Sequence, residues 1–525
     1  LIMSSKIAFL NGVAHSIEEE ESILTFSRRL SQDIPTLCDD PRLDAFGSCR
    51  VCSVDVALSA DGPRRVMASC HTPIAEGMHI YTNSERVEKL RKNIVELVLS
   101  DHPKDCNDCD ANNDCELQDV AIATGVREVR FINPKQSIDE YTPNAFDDSH
   151  PYMRMDLSTC INCNRCIRAC DEIQGEQVLS ASGRGFASQI IKGDHSTFDE
   201  SDCVSCGACA QTCPTGAISD VFRNNLAKMK DKEETVRTVC SYCGVGCNLK
   251  VSVKENRVIS IEAPENAPVN EGHTCLKGRY AWRFYDHPER LNSPLVKKEG
   301  VLTPVSWDEA YTFIAEKLTK IKSEHGADAI AGISSARCTN EENYLLQKLI
   351  RVAIGTNNID CCARVCHSPT AFGMQHAFGT GAATNSIKDL ASTEFIMLIG
   401  ANPTAAHPVT GSKIKQQVMK GVPLIVIDPV ETELARYANW HIQLRPGTNV
   451  AVLNMMAYYI LKEDLEDKPF IEDRTEAFEG YKKDILALNI DDLANTAQVD
   501  KLIVQEAAIA YAKANKAMSF HGLGV

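Results

Sequence analysis

The sequence predicts a multidomain protein in which small α+β modules precede a larger α/β region. Three observations support this fold class. The length of 525 residues suits about three or four domains. Most of the 23 cysteines fall in spaced sets that end at Cys275. Beyond Ser306, amphipathic helices alternate with short apolar strands, a pattern typical of a doubly wound parallel sheet.

Composition and charge exclude several classes of protein. An apolar content of 44% and a charged content of 24% are those of an ordinary globular chain. The net charge of −16 argues against a nucleic-acid partner. No apolar run approaches the roughly 20 residues of a membrane span, and the first residues contain neither a signal-peptide core nor a twin-arginine pair. We therefore expect a cytoplasmic protein with no membrane span.

The cysteines are arranged as metal ligands. Disulfides are typical of short secreted chains, whereas this chain is long, shows no export signal and holds its cysteines in C-x₂-C groups. Zinc remains an alternative for any single C-x₂-C pair. The complete sets follow iron–sulfur spacings instead, which predicts clusters rather than zinc ions.

The first cysteine set lies in a β-rich segment, residues 1–82. Residues 50–56 alternate in polarity as a half-buried strand does, and Gly47 permits a tight turn before them. Four thiolates are what a 2Fe–2S cluster requires. The set is Cys38, Cys49, Cys52 and Cys70. This segment resembles the β-grasp, ferredoxin-like 2Fe–2S domain shared by the complex I large electron-transfer subunit, iron-only hydrogenases and some formate dehydrogenases.

A helix and a second ligand set follow in residues 83–122. Thr82 and Glu85 predict a capping box, and the helix is expected to stop at His102-Pro103. A lone histidine here would be interpreted as a cation at a helix C-terminus. Three cysteines at ligand spacing favour coordination instead. The set is His102, Cys106, Cys109 and Cys115. It resembles the His–Cys₃ 4Fe–4S module of the same three families.

An internal repeat follows residues 131–150, which we predict to be a linker. The C-x₂-C-x₂-C-x₃-C pattern occurs twice, at Cys160, Cys163, Cys166 and Cys170 and at Cys203, Cys206, Cys209 and Cys213. Residues 150–220 thus match the two-cluster bacterial ferredoxin, in which the fourth cysteine of each run ligates the other cluster. The likeness implies that Cys170 joins the second run and Cys213 joins the first.

The last regular cysteine set opens another domain, residues 236–292. Residues 220–236 before it end in the charged run Lys228–Arg237 and are predicted to be a solvated linker or helix. A β-hairpin is predicted between its third and fourth cysteines. The set is Cys240, Cys243, Cys247 and Cys275. It resembles the N-terminal 4Fe–4S domain of the molybdopterin oxidoreductases. That likeness implies that Lys277 lies between cluster and pterin and couples them; the alternative is an exposed basic residue.

Residues 293–525 are predicted to be α/β. Ser306 and Glu309 predict a capping box at the start of a helix, and Gly326 marks its end. Strands at 394–400 and 422–428 flank a helix near 412–420, which makes a β-α-β unit. No G-x-G-x-x-G motif is present, so a nicotinamide site is not supported.

Polar residues follow both strands of this unit. Asn402 and Asp428 stand at the strand ends, where open α/β sheets bind ligands. The alternative is that both only form turns.

The chain as a whole resembles the catalytic subunit of cytoplasmic molybdenum- or tungsten-dependent formate dehydrogenases. The closest local matches are S-S-A-R-C-T-N-E-E-N-Y from Ser334, C-A-R-V-C-H-S-P ending at Pro369, and G-T-G-A-A-T-N-S from Gly379. The resemblance implies that Cys366 ligates the metal and that His367 lines the formate site. It also implies a family of longer chains, with further substrate-site residues beyond position 525.

The same resemblance implies the contacts to the guanine-dinucleotide tails of the cofactor. They are Asn402, Pro403, Asp428, Arg445, Pro446, Gly447 and Thr448. Val430 and Asn449 depart from the family pattern. The implied cofactors are one 2Fe–2S cluster, four 4Fe–4S clusters and a molybdenum or tungsten bis-molybdopterin guanine dinucleotide.

The chemistry expected of Cys366 agrees with this likeness. A soft thiolate suits a molybdenum or tungsten centre, and formate must lose two electrons and one proton to become CO₂. His367 is suited to orient formate or to take up the proton. Three further cysteines fit no cluster spacing and are expected to be packing residues: Cys338, Cys361 and Cys362.

Other functions and several partners remain open. A non-catalytic electron-transfer scaffold like the complex I large subunit shares three of the ligand sets but lacks the paired ferredoxin repeat and Cys366–His367. An iron-only hydrogenase and another molybdopterin enzyme, such as a nitrate reductase, are weaker alternatives. The expected partner is an electron-accepting subunit near the N-terminal domain: a flavin-containing NAD-reducing subunit, a ferredoxin or a hydrogenase.

Overall fold

The computed structural model describes residues 6–102, 105–131, 146–194, 197–224 and 234–523. The chain divides into two compact units. Unit 1 comprises Leu1–Trp282 and Ala406–Gln416, and unit 2 comprises Arg283–Ala405 and Gln417–Val525. Within the described ranges, no helix is both long and apolar enough to cross a membrane.

Unit 1 begins with a five-stranded mixed sheet crossed by one helix. Its elements are β1 Ile7–Leu10, β2 Val13–Ser16, α1 Ile23–Arg29, β3 Ser53–Ala57, β4 Arg65–Ala68 and β5 His79–Tyr81. The strand order is β2-β1-β5-β3-β4, and β1 and β5 are parallel while the other pairs are antiparallel. Phe26 of α1 packs against Val54 and Ile80 of the sheet. The predicted β-grasp architecture is confirmed.

The next two helices are α2 Glu85–Leu99 and α3 Glu116–Ala123. The predicted capping box of Thr82 and Glu85 is wrong, because Ser84 caps α2 by accepting a hydrogen bond from Val87 N at 3.3 Å. Thr82 is instead held by Asn11, whose side chain donates to Thr82 Oγ1 at 2.8 Å and accepts from Thr82 N at 2.9 Å. A long-range contact thus replaces the local cap. Pro103, the expected stop, lies outside the described residues.

The repeat region forms two small sheets and three short helices. Its elements are β6 Phe146–Asp147, β7 Met153–Asp156, α4 Arg165–Arg168, β8 Ser180–Ser182, β9 Gln189–Ile191, α5 Ala208–Thr212, β10 Ile218–Asp220 and α6 Val221–Asn224. The sheets are β10-β7-β6 and the β8-β9 hairpin. The linker prediction for residues 131–150 is wrong at its end, since β6 belongs to the sheet; residues 132–145 lie outside the described ranges.

A buried ion pair between Lys192 and Asp147 holds β6 in place. Asp147 accepts hydrogen bonds from Lys192 Nζ at 2.8 Å and from Phe198 N at 2.9 Å, and both charged side chains are at most 4% exposed. Burial opposes ionisation of Asp147, but hydrogen bonds from Lys192 and Ser149 outweigh it and lower its pKa. Its contribution to stability is therefore fully present above the ordinary carboxyl pKa of about 3.9 and is lost as the pH falls towards the lower folded value.

The fifth cysteine set belongs to a three-stranded antiparallel sheet and a short helix. These elements are β11 Glu234–Val239, β12 Asn248–Lys254, β13 Arg257–Glu262 and α7 Leu276–Tyr280. The predicted hairpin is confirmed as β12-β13. The charged run Lys228–Arg237 is not a linker or helix throughout, because its end forms β11 and pairs with β12. Residues 225–233 lie outside the described ranges.

Unit 2 opens with strand pairs and helices that lead to Cys366. Its first elements are β14 Leu295–Lys298, β15 Val301–Pro304, α8 Trp307–His325, β16 Gly332–Ser334, α9 Asn340–Lys348, β17 Ile359–Cys361, α10 Ala363–Cys366 and α11 Ser368–Phe378. Ser306 Oγ accepts from Glu309 N at 3.2 Å, and α8 ends at Gly326 with φ +84°. The predicted start and end of this helix are confirmed, but of the capping box the structure shows the Ser306 bond, and the Glu309 carboxylate pairs with Lys298.

A parallel sheet organises the rest of unit 2. Between its first two strands, β18 Phe395–Ile399 and β19 Leu424–Ile427, the chain forms α12 Pro403–Ala406 and α13 Pro408–Met419, and most of α13 belongs to unit 1. The later elements are β20 Trp440–Ile442, α14 Asn449–Lys462, α15 Lys468–Arg474, α16 Phe478–Leu486, α17 Ile490–Ala497, α18 Lys501–Ala512 and β21 Ala517–His521. The strand order is β20-β19-β18-β21, all parallel. Met455 and Ala508 pack on Ile427 in the main core. The α/β prediction is confirmed.

Replacing Lys192 by methionine tests the buried ion pair. Lys192→Met leaves the Asp147 carboxylate buried without its cation, so we expect a loss of about 3–5 kcal/mol in local stability. Lys250→Met is the control, since it removes a more exposed pair with Glu262 and should cost less than about 1 kcal/mol. Hydrogen exchange of the β6 and β9 amides measures the loss in Lys192→Met, and exchange of the β12 and β13 amides measures the loss in Lys250→Met. Equal protection in the two variants would contradict the assigned role.

Candidate metal centres and cofactor-binding loops

The first ligand set surrounds a turn of the β-grasp domain. Cys52 Sγ lies 3.4 Å from Cys70 Sγ, and Cys49 N donates to Cys38 Sγ at 3.4 Å. Gly47 precedes Cys49 and Cys52 and has a φ of +68°, as the turn requires. The hydrogen bond from Cys70 lowers the pKa of Cys52 to about 6. The same contact raises the pKa of Cys70, and four cysteines around one turn are a donor set that fits a 2Fe–2S cluster.

The second set lines one cavity of about 1040 Å³ beside α3. All four predicted side chains contribute to its wall: His102, Cys106, Cys109 and Cys115. Nδ1 of His102 is buried and has no hydrogen-bond partner among the described residues. Burial lowers the pKa of His102, which favours the neutral imidazole that binds metals. An orphaned ring nitrogen together with three thiols fits a His–Cys₃ cluster.

The third set combines both runs of the repeat. Three cysteines of the first run line one apolar cavity together with the last cysteine of the second: Cys160, Cys163, Cys166 and Cys213. Asn162 N donates to Cys160 Sγ at 3.4 Å, and Ile218 N donates to Cys213 Sγ at 3.4 Å. Burial, with added repulsion from Cys213, raises the pKa of Cys163 to about 12. Thiolates here need a positive partner, as an iron cluster provides.

The fourth set is the complement of the third. Val178 N donates to Cys170 Sγ at 3.3 Å. Burial raises the pKa of Cys206 to about 12, and the charges of Cys170 and Cys203 add to the rise. The pKa of Cys209 is also raised, mainly by burial, and the charges of Cys170 and Cys203 again add to the rise. The structure therefore brings Cys170 to the second run and Cys213 to the first, the crossed arrangement that the ferredoxin likeness implies.

The fifth set lies between β12 and α7. Its four cysteines line one cavity: Cys240, Cys243, Cys247 and Cys275. Lys277 is exposed and lines the same cavity, and its coupling role stays a prediction. Burial raises the pKa of Cys247 to about 12, with Cys240 and Cys275 adding to the rise. This donor set fits a 4Fe–4S cluster.

A single-ion site has a different geometry from these sets. Across the described part of the chain, no group of three or more His, Cys, Asp or Glu side chains is arranged to hold one metal ion. A structural zinc site places its ligands about 2.0–2.3 Å from one point. The choice between zinc and iron–sulfur clusters therefore rests on the spacing of the cysteines and not on this geometry.

Cys366 is the last residue of α10, and His367 joins it directly to α11. The thiol is exposed and the imidazole is half-buried in unit 2. Pro369 stands in the first turn of α11, where its missing N–H costs nothing. The first turn of a helix presents backbone N–H groups that favour a nearby anion. An accessible thiol at this junction fits the sulfur ligand of a molybdenum or tungsten centre.

The remaining cysteines of this region do not all pack as expected. Cys338 and Cys362 are exposed, so the prediction of a packing role is wrong for both, while Cys361 is half-buried. Cys362 Sγ accepts a hydrogen bond from Ala336 N at 3.4 Å, and this bond lowers the pKa of Cys362.

The predicted dinucleotide residues lie at one edge of the parallel sheet. Asn402 and Pro403 follow β18, Asp428 follows β19, and the Arg445–Thr448 turn follows β20. Since these strands are parallel, their carboxyl ends share one edge. Asp428 Oδ1 accepts from Val430 N at 2.8 Å, so Asp428 also acts as a turn former. Asn402 is exposed, and its Oδ1 accepts from Thr404 Oγ1 at 3.0 Å.

Sequence reasoning missed a fourth segment at this edge. β21 pairs in parallel with β18, and Gly522, just beyond it, donates its N–H to Ile399 O at 2.8 Å. A side chain at Gly522 would collide with the carbonyl of Gly400. The available signal was the apolar alternation of residues 517–520 followed by glycine.

Family comparisons match nearly the whole described chain. Residues 290–525 match the molybdopterin oxidoreductase family and residues 233–287 match the molybdopterin oxidoreductase Fe4S4 domain. Three further models match the preceding modules: a 2Fe-2S iron-sulfur cluster binding domain at 7–85, the NADH-ubiquinone oxidoreductase-G iron-sulfur binding region at 91–130, and a 4Fe-4S dicluster domain at 153–217. Molybdopterin, 2Fe–2S and 4Fe–4S domains are therefore all present.

Similar proteins come from Staphylococcus aureus. A protein of strain MRSA252 named "Putative formate dehydrogenase" is 33% identical over 91% of this chain and 51% of its own length. One of the same name from strain bovine RF122 / ET3-1 is 32% identical over the same shares. The chain thus spans about half the length of these relatives.

Two solved structures show weaker likeness. Acetylene hydratase from Pelobacter acetylenicus has a TM-score of 0.46 at 26% identity, over 54% of this chain and 39% of that one. An NAD⁺-reducing [NiFe]-hydrogenase in the H₂-reduced state has a TM-score of 0.37 at 28% identity, over 42% of this chain and 88% of that one. The matched family models, taken in chain order, give the conclusion. The chain belongs to the molybdopterin oxidoreductase family and carries 2Fe–2S and 4Fe–4S domains ahead of its molybdopterin region.

Proposed function

We propose that this chain is part of the catalytic subunit of a cytoplasmic molybdenum- or tungsten-dependent formate dehydrogenase. The observation that carries the proposal is the exposed Cys366 thiol with His367 beside it, in the region that matches the molybdopterin oxidoreductase family. The names of the Staphylococcus aureus relatives support formate as the substrate.

The reaction requires a sulfur ligand, a substrate pocket and an electron route. Formate gives CO₂, one proton and two electrons. When bound, the bis-molybdopterin centre supplies the two-electron acceptance that this oxidation needs. Cys366 would hold the metal through its thiolate, because soft sulfur ligands suit such a centre. His367, adjacent in the chain and half-buried, would orient the formate carboxylate or take up the proton at a ring nitrogen.

The guanine-dinucleotide tails are proposed to bind at the carboxyl edge of the parallel sheet. Loops at this edge of an open α/β sheet are the usual ligand site. The Arg445 side chain is exposed there, and a guanidinium suits phosphate oxygens. The proposed contacts are those at the ends of β18, β19 and β20: Asn402, Pro403, Asp428, Arg445, Pro446, Gly447 and Thr448.

The clusters bound by the five ligand sets would carry electrons one at a time. Cys38, Cys49, Cys52 and Cys70 would hold the 2Fe–2S cluster. The four 4Fe–4S clusters would be held by His102, Cys106, Cys109 and Cys115; by Cys160, Cys163, Cys166 and Cys213; by Cys170, Cys203, Cys206 and Cys209; and by Cys240, Cys243, Cys247 and Cys275. Lys277, in the wall of the last cavity, would couple that cluster to the pterin.

The proposed partner is an electron-accepting subunit that docks near the N-terminal iron–sulfur domains. A flavin-containing NAD-reducing subunit, a ferredoxin or a hydrogenase would each accept single electrons. A second candidate function is an electron-transfer scaffold, which the match of residues 91–130 to an NADH-ubiquinone oxidoreductase region favours. A scaffold would bind no molybdenum or tungsten at Cys366. The molybdenum or tungsten content of the protein therefore separates the two functions.

The full-length protein should contain about 18 iron atoms per chain together with molybdenum or tungsten and pterin. We expect formate to reduce NAD⁺, ferredoxin or an artificial dye in proportion to the molybdenum or tungsten content. Elemental analysis and anaerobic formate assays on the same preparation measure both. Iron alone, with no formate-dependent reduction of any acceptor, would assign the chain as a scaffold.

Cys366→Ala tests the metal ligand. We expect formate turnover to fall by at least about 100-fold, the scale on which weakened ligand shells reduce activity. Iron content should be unchanged, since the cluster cysteines are untouched. Cys338→Ala, which removes another exposed thiol in the same unit, is the control and should keep full activity. Retained turnover in Cys366→Ala would exclude this sulfur from the metal.

The crossed ligand sets of the repeat can be tested by pairing variants. Cys213→Ser should remove the same electron paramagnetic resonance signal as Cys163→Ser, because both residues line one cavity. Cys170→Ser should likewise remove the same signal as Cys206→Ser. The measurement is the spectrum of the dithionite-reduced, full-length protein. If Cys213→Ser matched Cys206→Ser instead, each run would hold its own cluster and the proposed sets would be wrong.

A further inference from the structure

The imidazole of His150 is held in one tautomer by the backbone. The side chain is buried, with 4% of its surface exposed. Tyr152 N and Met153 N both donate to His150 Nδ1, each at 3.1 Å. A ring nitrogen that accepts two amide hydrogens carries no proton of its own. The N–H of the neutral ring is therefore on Nε2.

Nε2 of His150 faces the ligand set of the second run. It lies 2.9 Å from Ser205 Oγ and 4.0 Å from Cys203 Sγ. Ser205 N donates to the same sulfur at 3.4 Å. The rings of Tyr152 and Phe198 pack edge-on against the imidazole, with centroids 5.8 and 5.7 Å away, and hold its orientation. The imidazole N–H is thus shared between the Ser205 hydroxyl and the Cys203 sulfur.

The internal repeat offers a matched comparison within the molecule. Asn162 occupies the position in the first run that Ser205 occupies in the second, and both have a left-handed backbone, with φ +51° and +58°. Each donates its N–H to the cysteine two residues earlier at 3.4 Å. The side-chain amide of Asn162 donates to Ser188 O instead, and its Oδ1 lies 3.9 Å from Cys160 Sγ. A carbonyl oxygen cannot donate to a thiolate.

We propose that His150 is a positioning residue that raises the reduction potential of the cluster assigned to Cys170, Cys203, Cys206 and Cys209. The inference rests on the proposed function, which makes Cys203 a cluster ligand. Reduction adds one electron to the cluster and increases the negative charge on its thiolates. A hydrogen-bond donor at a ligand sulfur stabilises that charge, and burial strengthens the effect.

This arrangement makes the two clusters of the repeat unequal. Both sulfurs, Cys160 and Cys203, receive the backbone N–H described above, but among the described residues the imidazole donor is found at Cys203 and not at Cys160. An electron in the repeat region would therefore reside preferentially on the second-run cluster.

Three variants of the full-length, cluster-loaded protein test the proposal. His150→Leu removes the N–H donor. His150→Gln keeps a donor at the Nε2 position but loses the ring acceptor Nδ1. Ser205→Gly removes the competing hydroxyl while suiting the left-handed backbone. The measurement is a dithionite potentiometric titration followed by electron paramagnetic resonance, with each signal assigned by its loss in Cys163→Ser or Cys206→Ser.

We expect His150→Leu to lower the midpoint potential of the signal assigned to the second run and to leave the first-run signal unchanged. His150→Gln should stay close to the parent protein, and Ser205→Gly should not lower the potential, because the N–H then has only sulfur to donate to. An unchanged second-run potential in His150→Leu, or an equal shift of both signals, would overturn the proposal.

Two further outcomes distinguish a failure of the His150 proposal from a failure of the ligand assignment. If His150→Leu fails to assemble its clusters, Ser205→Gly decides, since a lowered potential there would make the hydroxyl the donor and refute the role of His150. If Cys206→Ser removes no signal from the parent spectrum, the ligand assignment of the proposed function fails instead.

Discussion

The constraint on which the rest of unit 1 depends is the charge of buried thiolates. Burial raises the pKa of Cys163 and of Cys206 to about 12 in each case, and neighbouring cysteines add to both shifts. Several thiolates in one apolar pocket repel each other, and withdrawing them from water is costly. Such a set is stable as ligands only beside a positively charged group. The short strands, tight turns and backbone N–H donors of this unit are arranged around that requirement.

The same unit joins its ligand sets through shared packing. Cys49, Cys115 and Ile161 belong to three successive modules, and all three pack against one apolar cluster that contains Leu37. The fifth set is tied to the repeat by Arg279 of α7, which is 4% exposed and donates to Cys206 O at 2.8 Å. Within the described residues of unit 1, neighbouring ligand sets are therefore held by shared apolar packing and by this hydrogen bond.

The sequence predicted local features well where the physical cause is local. Spacing predicted which cysteines group together, and the cap at Ser306 and the hairpin β12-β13 follow from nearby residues. Predictions failed where a distant residue intervened. Asn11 holds Thr82 and leaves Ser84 as the cap. Pairing with β12 turns part of a charged run into a strand.

The sequence by itself determined which candidate ligands are present and how they are spaced along the chain, because the order of residues is fixed by covalent bonds. Tertiary structure decided which of those ligands meet. It brought Cys213 to the wall of the first-run cavity, placed His150 beside Cys203, and set Gly522 against Gly400 at the edge of the sheet. Such contacts join residues many positions apart, and only the packing of the whole core fixes their distances.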